Sequence, residues 1–194
     1  MNHPIIRFYL GEAPDDRGRR IAEIWGWTDC QLEGVHDYVQ WLFPSPRPSD
    51  YNPTAPVLSA EVAAAFGRDP ELRARLLRSF ERMLSFYGFS AHRAAGGLVI
   101  ERGENWPARR SSWVTPGNHN FLRITRILVC LRGIGCQEEA FAFHAALQGV
   151  SAAFPEIVGE RTARFWRSAA HDMIRLAAPL SLLKHKSSIM FHNE

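Results

Sequence analysis

Residues 118–133 constrain the fold most strongly, because the helix they predict is apolar on nearly every side. At about 100° per residue, large apolar side chains fill one wide arc, namely Phe121, Ile124, Ile127, Leu128, Leu131 and Ile134. Leu122 and Val129 add apolar surface on the other side. A helix with so little polar surface normally lies in the centre of a protein. The sequence therefore predicts a fold built around this helix.

Helix signals dominate the rest of the chain. The clearest helix covers residues 70–87, where Asp69 is a cap, Pro70 occupies the first turn and Gly88 ends the helix. Further helices are predicted from Asp15 or Asp16, over 28–43 with Thr28 or Asp29 as cap, from Ser59, over about 137–153 and over 156–177. The predicted fold class is all-α, a bundle of about seven helices.

Two segments do not follow the helical pattern. Five prolines fall within residues 44–56, which predicts an extended segment that crosses the bundle. Glycines interrupt residues 91–116, where at most a small β-hairpin is expected. The chain shows neither a linker nor a repeat, so residues 1–194 are predicted to be a single domain. Its core runs from about 8 to 178, and 179–194 form a tail, either a loose end or a packing contact.

Composition excludes several classes of protein. Apolar residues make up 46% of the chain and charged residues 22%, as in ordinary globular proteins. The net charge of +3 gives no argument for nucleic-acid binding. Neither a signal peptide nor a run long enough to span a membrane is present, so we expect a cytoplasmic protein, with peripheral membrane association left open. The three cysteines lack metal-ligand spacing, and the histidines are scattered, so no metal or cofactor is predicted.

The central helix carries a narrow basic sector formed by His119, Arg123, Arg126 and Cys130. A buried arginine requires a partner, because desolvating an unpaired charge costs several kcal/mol. We therefore expect an anionic or carbonyl partner for both arginines. Asn118 is a good N-cap, and the partial positive charge of a helix start also favours an anion. Backbone amides and guanidinium groups together predict a carboxylate or phosphate site.

A second polar group lies in the helix predicted over 28–43. Glu33, His36, Asp37 and Gln40 share one sector of that helix, whereas apolar side chains face away from it. Two interpretations stay open. The acids can pair with the basic sector in an internal network, or both sectors can line a ligand pocket.

These residues also carry a resemblance to a known family. The blocks HDYVQWLFP at 36–44, APVLS at 55–59, FERMLSFYGF at 80–89 and NHNFLRITRILVCLRGIG at 118–135 resemble the conserved region of the opioid growth factor receptor family. The similarity runs from about residue 8 to 178. It implies a helical domain of a receptor for an enkephalin-type pentapeptide, associated with the nucleus and its envelope, without established catalytic activity.

The function predicted from this resemblance is non-catalytic binding of a small peptide or another anionic ligand. The carboxylate of the peptide is expected against Arg123, Arg126 and the start of the helix. Its ammonium is expected near Glu33 or Asp37, and its rings near Tyr38 and Trp41.

Two alternatives come from other classes of protein. An enzyme would use His36 or His119 with Asp37 in acid–base chemistry, but none of the common catalytic motifs accompanies these residues. An interaction module for protein or nucleic acid would use Arg102, Arg109 and Arg110, with Trp106 and Trp113 stacking on bases. The competing interpretation of this segment is a solvated loop with two aromatic anchors, and we prefer it.

Overall fold

The computed structural model describes residues 3–50 and 52–172. These residues form ten helices and one two-stranded antiparallel sheet. The helices are α1 Pro4–Tyr9, α2 Ile21–Trp25, α3 Asp29–Gly34, α4 Val39–Leu42, α5 Ala60–Arg68, α6 Pro70–Tyr87, α7 Trp106–Trp113, α8 Asn120–Ile134, α9 Gln137–Ala153 and α10 Pro155–His171, and the strands are β1 Phe89–Ala94 and β2 Gly97–Arg102. The prediction of a mostly helical fold with a small hairpin is confirmed.

Helix α8 lies at the centre, as its apolar sequence predicts. It packs against α5, α9 and α10, and its wide apolar arc belongs to the hydrophobic core. Leu122 is the exception, with 60% of its surface exposed. The apolar side chains of α8 are therefore buried along most of the helix, but in its first turn one of them faces solvent.

The caps of α6 follow the sequence closely. The Asp69 side chain accepts from the backbone N–H groups of Glu71 and Leu72, and Pro70 stands at the first turn. Gly88 ends the helix with φ 86°, a left-handed conformation that disfavours other residues. A Cβ at Gly88 would lie 2.9 Å from the Cα of Trp106, so α7 also approaches closely here.

The prediction of one helix over residues 28–43 is wrong. Thr28 caps α3, but that helix ends at Gly34, and α4 begins only at Val39. Val35 is extended, with φ −100° and ψ 134°. The two carbonyls that a continuous helix would bond to its own N–H groups here are bonded by an arginine of α8 instead, as described below.

Near the two ends of the chain, the predicted helix bounds differ slightly from those in the structure. Neither Asp15 nor Asp16 begins a helix, because α2 starts at Ile21. The sequence does not predict helix α1, Pro4–Tyr9. Helix α10 runs from Pro155 to His171 with a break at Gly159, where φ is 71° and ψ 154°. The tail at 179–194 lies outside the described residues, and its two alternatives stay open. That the chain is one domain stays a prediction.

Candidate ligand-binding site

Arg123 is the buried centre of a polar cluster at the start of α8. The residue is only 6% exposed. Its Nη1 donates to the carbonyl of Leu32 at 2.9 Å, and its Nη2 donates to the carbonyl of Val35 at 2.7 Å. In an unbroken helix these carbonyls would accept from the N–H groups four residues later. The guanidinium therefore replaces the missing helical donors where α3 ends, which satisfies the predicted need for a carbonyl partner.

Three further side chains surround this guanidinium. Nη1 also donates to Oδ1 of Asn120 at 3.3 Å, and Nη2 lies 2.7 Å from Nδ1 of His36. Because a guanidinium has no acceptor, Nδ1 of His36 accepts here and the ring proton lies on Nε2. The Tyr38 ring lies 5.7 Å from the guanidinium carbon. Both terminal nitrogens of Arg123 are thus bonded to groups of its own chain.

Glu33 faces outward above this centre. Its carboxylate accepts from Nδ2 of Asn120 at 3.1 Å, and Nε2 of His119 lies 3.4 Å away. One third of the Glu33 side chain and 42% of the His119 side chain are exposed. The rings of His36 and His119 meet edge to face at 4.9 Å. We call Glu33, His36, His119, Asn120 and Arg123 the polar cluster.

The surroundings of His119 in the polar cluster lower its pKa and so favour the neutral imidazole. Burial lowers the pKa of His119 below 6.5, and the charge of Arg123 lowers it further, against a smaller opposing effect of Glu33. A neutral imidazole lends its neighbour no positive charge. Within the described residues, His119 is the one basic side chain within ion-pair distance of Glu33. Its carboxylate is therefore contacted by neutral donors.

Arg126 occupies a different position, one turn further along α8. Its Nη1 lies 3.2 Å from Oγ of Ser45 and 3.4 Å from the carbonyl of Phe43. Burial lowers the pKa of Arg126. In the part of the chain that the structure describes, no carboxylate pairs with this guanidinium. Its contacts are long and neutral, so its charge is weakly compensated.

The structure does not place Asp37 in the polar cluster. The carboxylate accepts from Nη1 of Arg19 at 2.6 Å and from Nε of Arg17 at 3.1 Å. Burial raises the pKa of Asp37, but the hydrogen bond and charge of Arg19, with the charge of Arg17, outweigh it and leave the pKa below its ordinary value. The break between α3 and α4 turns Asp37 away from Glu33. The expected shared face of Glu33, His36, Asp37 and Gln40 therefore does not exist.

The remaining predicted site residues are structural in this fold. Tyr38 is fully buried and its hydroxyl donates to the Leu32 carbonyl, and Trp41 is 5% exposed and donates to Asp16 at 2.9 Å. Gln40 is 6% exposed. When its side-chain amide is oriented with the nitrogen inward, that nitrogen donates to the carbonyls of His36 and Asp37, each at 3.2 Å.

Asn118 supplies the capping bond of α8, although the residue directly before the helix is His119, which makes no side-chain cap bond. The Asn118 side chain accepts from the backbone N–H of Asn120 at 2.9 Å. An amide at the helix start is therefore already bonded within the chain, which removes part of the expected anion site.

The segment considered for base stacking is helix α7. Its two tryptophans are 7% and 0% exposed. Trp113 donates to the carbonyl of Tyr87 at 3.0 Å, and Nε of Arg109 donates to that of Phe86. The prediction of two aromatic anchors is confirmed, although they stand on a helix and not on a loop. Rings buried in this way cannot stack on bases.

Two kinds of feature are absent from the described residues. Across 3–50 and 52–172, no three or more His, Cys, Asp or Glu side chains gather in a way that could hold a metal ion. Over the same ranges, none of the helices combines the length and apolarity needed to cross a membrane.

Fold and site together define a predominantly helical protein whose partly exposed polar cluster is anchored by a buried arginine. Comparison with known proteins places this class in a family. The opioid growth factor receptor conserved region matches residues 3–148, a range that includes the whole polar cluster. The chain therefore belongs to the opioid growth factor receptor family, as the sequence blocks predict.

Curated relatives share this region. The opioid growth factor receptor of Rattus norvegicus is 41% identical over 136 residues, which cover 68% of this chain and 23% of the relative. The Homo sapiens receptor is 38% identical over 69% of this chain and 20% of its own length. Opioid growth factor receptor-like protein 1 of Mus musculus is 32% identical over 73% of this chain and 32% of its own length.

The matched region thus spans about a fifth to a third of the length of these relatives. Among solved structures, the comparison finds no match.

Proposed function

We propose that this chain is a receptor-like, non-catalytic module that binds a small peptide at the polar cluster. Membership of a family whose named members are receptors supports ligand binding in general. The observation that carries the proposal is the Glu33 carboxylate, which is partly exposed and contacted by neutral groups. A peptide ammonium is a complementary ligand for such a carboxylate, through charge-assisted hydrogen bonds.

The pose differs from the one that the sequence predicts. Both terminal nitrogens of Arg123 are bonded within its own chain, so the residue holds the site in shape without contacting the ligand. Arg126 is the better partner for the peptide carboxylate, because its existing contacts are long and neutral. At 1.5 Å per residue, His119 and Arg126 lie roughly 10 Å apart along the α8 axis. A pentapeptide extends to roughly 16 Å, so both of its termini can reach these two positions.

The proposal excludes catalysis as the main activity. His119 and Glu33 form a histidine–carboxylate pair, but Asp37, which the enzyme alternative would use, is held by two arginines instead. The cysteines Cys30, Cys130 and Cys136 are free thiols, as expected for the reducing, cytoplasmic compartment that we propose.

The test is isothermal titration with an enkephalin-type pentapeptide that has free termini. Wild type, Glu33→Gln and the control Glu104→Gln are compared, since Glu104 is an exposed acid outside the polar cluster. We expect Glu33→Gln to weaken binding at least tenfold, or about 1.4 kcal/mol, and Glu104→Gln to leave it unchanged. N-acetylation of the peptide removes the ammonium and should cause a similar loss in wild type.

Equal affinity of the two variants would show that Glu33 does not bind the peptide, and no binding by wild type would show that the peptide is not a ligand.

Mass spectrometry of the peptide after incubation with the protein tests whether the module is non-catalytic. An intact peptide is expected, and a shortened one would contradict it.

A further inference from the structure

Leu122 has the most exposed large apolar side chain among the described residues. It lies in the first turn of α8, directly after the buried Phe121. Single exposed leucines are common on protein surfaces, so exposure by itself indicates no function. What distinguishes Leu122 is its position relative to the peptide site proposed above.

Leu122 lies beside the line that joins the two ends of that site. It follows His119 by three residues and precedes Arg126 by four, so the three side chains share one side of α8. At about 100° per residue, His119 and Arg126 project within about 20° of each other, and Leu122 projects about 40–60° from both. Along the helix axis, Leu122 lies roughly 4.5 Å beyond His119 and roughly 6 Å before Arg126. A peptide that extends from Glu33 to Arg126 therefore passes alongside Leu122.

The neighbouring positions on this side of α8 are already engaged within the chain. Thr125 is half-buried, and its hydroxyl donates to the carbonyl of Phe121 at 2.9 Å. Val129 is half-buried and packs against the hydrophobic core. Arg123 is buried and bonded to the carbonyls at the end of α3. Leu122 is thus the apolar side chain that this side of the helix presents to a ligand.

The geometry of an extended peptide decides which of its residues meets Leu122. Successive residues advance roughly 3.3 Å, so the central residue of a pentapeptide lies roughly 6.6 Å from the first and from the last. With the ammonium at Glu33 and the carboxylate at Arg126, the central residue is level with Leu122. The ring contact that the sequence predicts at Tyr38 and Trp41 does not form, because both of those side chains are buried.

We propose that Leu122 determines the specificity of the peptide site, which takes peptides whose central residue has a large apolar side chain, such as phenylalanine. This inference rests on the proposed function and adds a requirement that the charged ends of the peptide do not impose. The contact removes apolar surface of both side chains from water, which favours binding. A central alanine forgoes most of this contact.

Two synthetic pentapeptides with free termini, Gly-Gly-Phe-Gly-Gly and Gly-Gly-Ala-Gly-Gly, are the probes, and isothermal titration measures their affinities. We expect wild type to bind the phenylalanine peptide about tenfold more tightly. In Leu122→Ala the ratio of the two affinities should approach one. The control Phe141→Ala removes an exposed aromatic side chain of α9 outside the polar cluster, and it should keep the ratio of wild type.

The outcomes separate this inference from the proposed function. Equal affinity of wild type for the two peptides would overturn the role of Leu122, whereas the peptide site would stand if Glu33→Gln still weakened both. A preference for phenylalanine that Leu122→Ala retains would also overturn it. If wild type binds neither peptide, the inference is wrong, and the titration with the enkephalin-type peptide decides whether the proposed function falls with it.

Methyl NMR of the wild-type complex tests the contact directly. The ring current of the bound phenylalanine should shift the methyl resonances of Leu122, whereas those of Leu147, which is buried on α9, should not move. Unshifted Leu122 methyl resonances at saturation would overturn the contact.

Discussion

Replacing Arg123 by methionine tests whether this guanidinium stabilises the end of α3. Methionine has a similar length and is apolar, so Arg123→Met keeps much of the buried volume but removes every donor. The substitution leaves the hydrophobic core otherwise unchanged. Any loss of stability then reports on the acceptors that the guanidinium served.

The expected loss of stability depends on whether each acceptor of Arg123 keeps another donor in the variant. The Leu32 carbonyl keeps the Tyr38 hydroxyl at 3.2 Å, and the exposed His36 can bond to water. The Val35 carbonyl and Oδ1 of Asn120 lose their donor. Each buried acceptor left unsatisfied costs about 1–3 kcal/mol. Asn120 is fully buried and Val35 only half-buried, so Arg123→Met should lower the free energy of unfolding by about 1–3 kcal/mol through Asn120 and by less through Val35.

Urea unfolding, followed by circular dichroism and analysed by linear extrapolation, measures this free energy. Arg164→Met is the matched control, because Arg164 is exposed and the same charge is removed. The control should stay within about 0.5 kcal/mol of wild type. A change for Arg123→Met no larger than that of the control would refute the reasoning.

Two further predictions concern a turn and a titration. Gly88→Ala should lower the free energy of unfolding by about 1–3 kcal/mol, because φ is 86° and the new Cβ would lie 2.9 Å from the Cα of Trp106. Urea unfolding measures this loss, and an unchanged midpoint would contradict the prediction. His144, with a folded pKa of about 4 against 6.5, binds fewer protons in the folded state. Its stabilisation is therefore present above pH 6.5 and is lost as the pH falls towards 4. In thermal melts, His144→Gln should flatten the decrease of Tm with falling pH, and an unaltered slope would count against it.

The long helices could be predicted because their signals are local. Asp69, Pro70 and Gly88 mark both ends of α6 within the helix itself. The expected helix over 137–153 coincides with α9, Gln137–Ala153. Apolar periodicity over four or more turns needs no knowledge of distant partners.

The break between α3 and α4 could not be predicted in the same way. Local pattern favours a continuous helix over 28–43, but Arg123 reaches the carbonyls of Leu32 and Val35 across 91 and 88 residues. Tertiary contacts here outweigh helix propensity. Periodicity alone does not reveal such a partner, although the need of a buried arginine for carbonyl acceptors does point to one.

The same limit applies to the candidate site. The role of Arg123 could be predicted because a charged residue on an apolar helix needs a partner. The pairing of Asp37 with Arg17 and Arg19 depends on how the turn before α2 folds back, which no spacing in the sequence encodes.

The bond between Arg123 and the end of α3 also orders events during synthesis. During translation, the residues of α3 leave the ribosome long before residue 123 does. Until Arg123 is available, the carbonyls of Leu32 and Val35 lack the bonds that it makes to them in the folded chain. Closing a contact across about ninety residues is slow compared with forming a local turn. The carbonyls of Leu32 and Val35 therefore receive the bonds of Arg123 only after α8 has been translated and has docked.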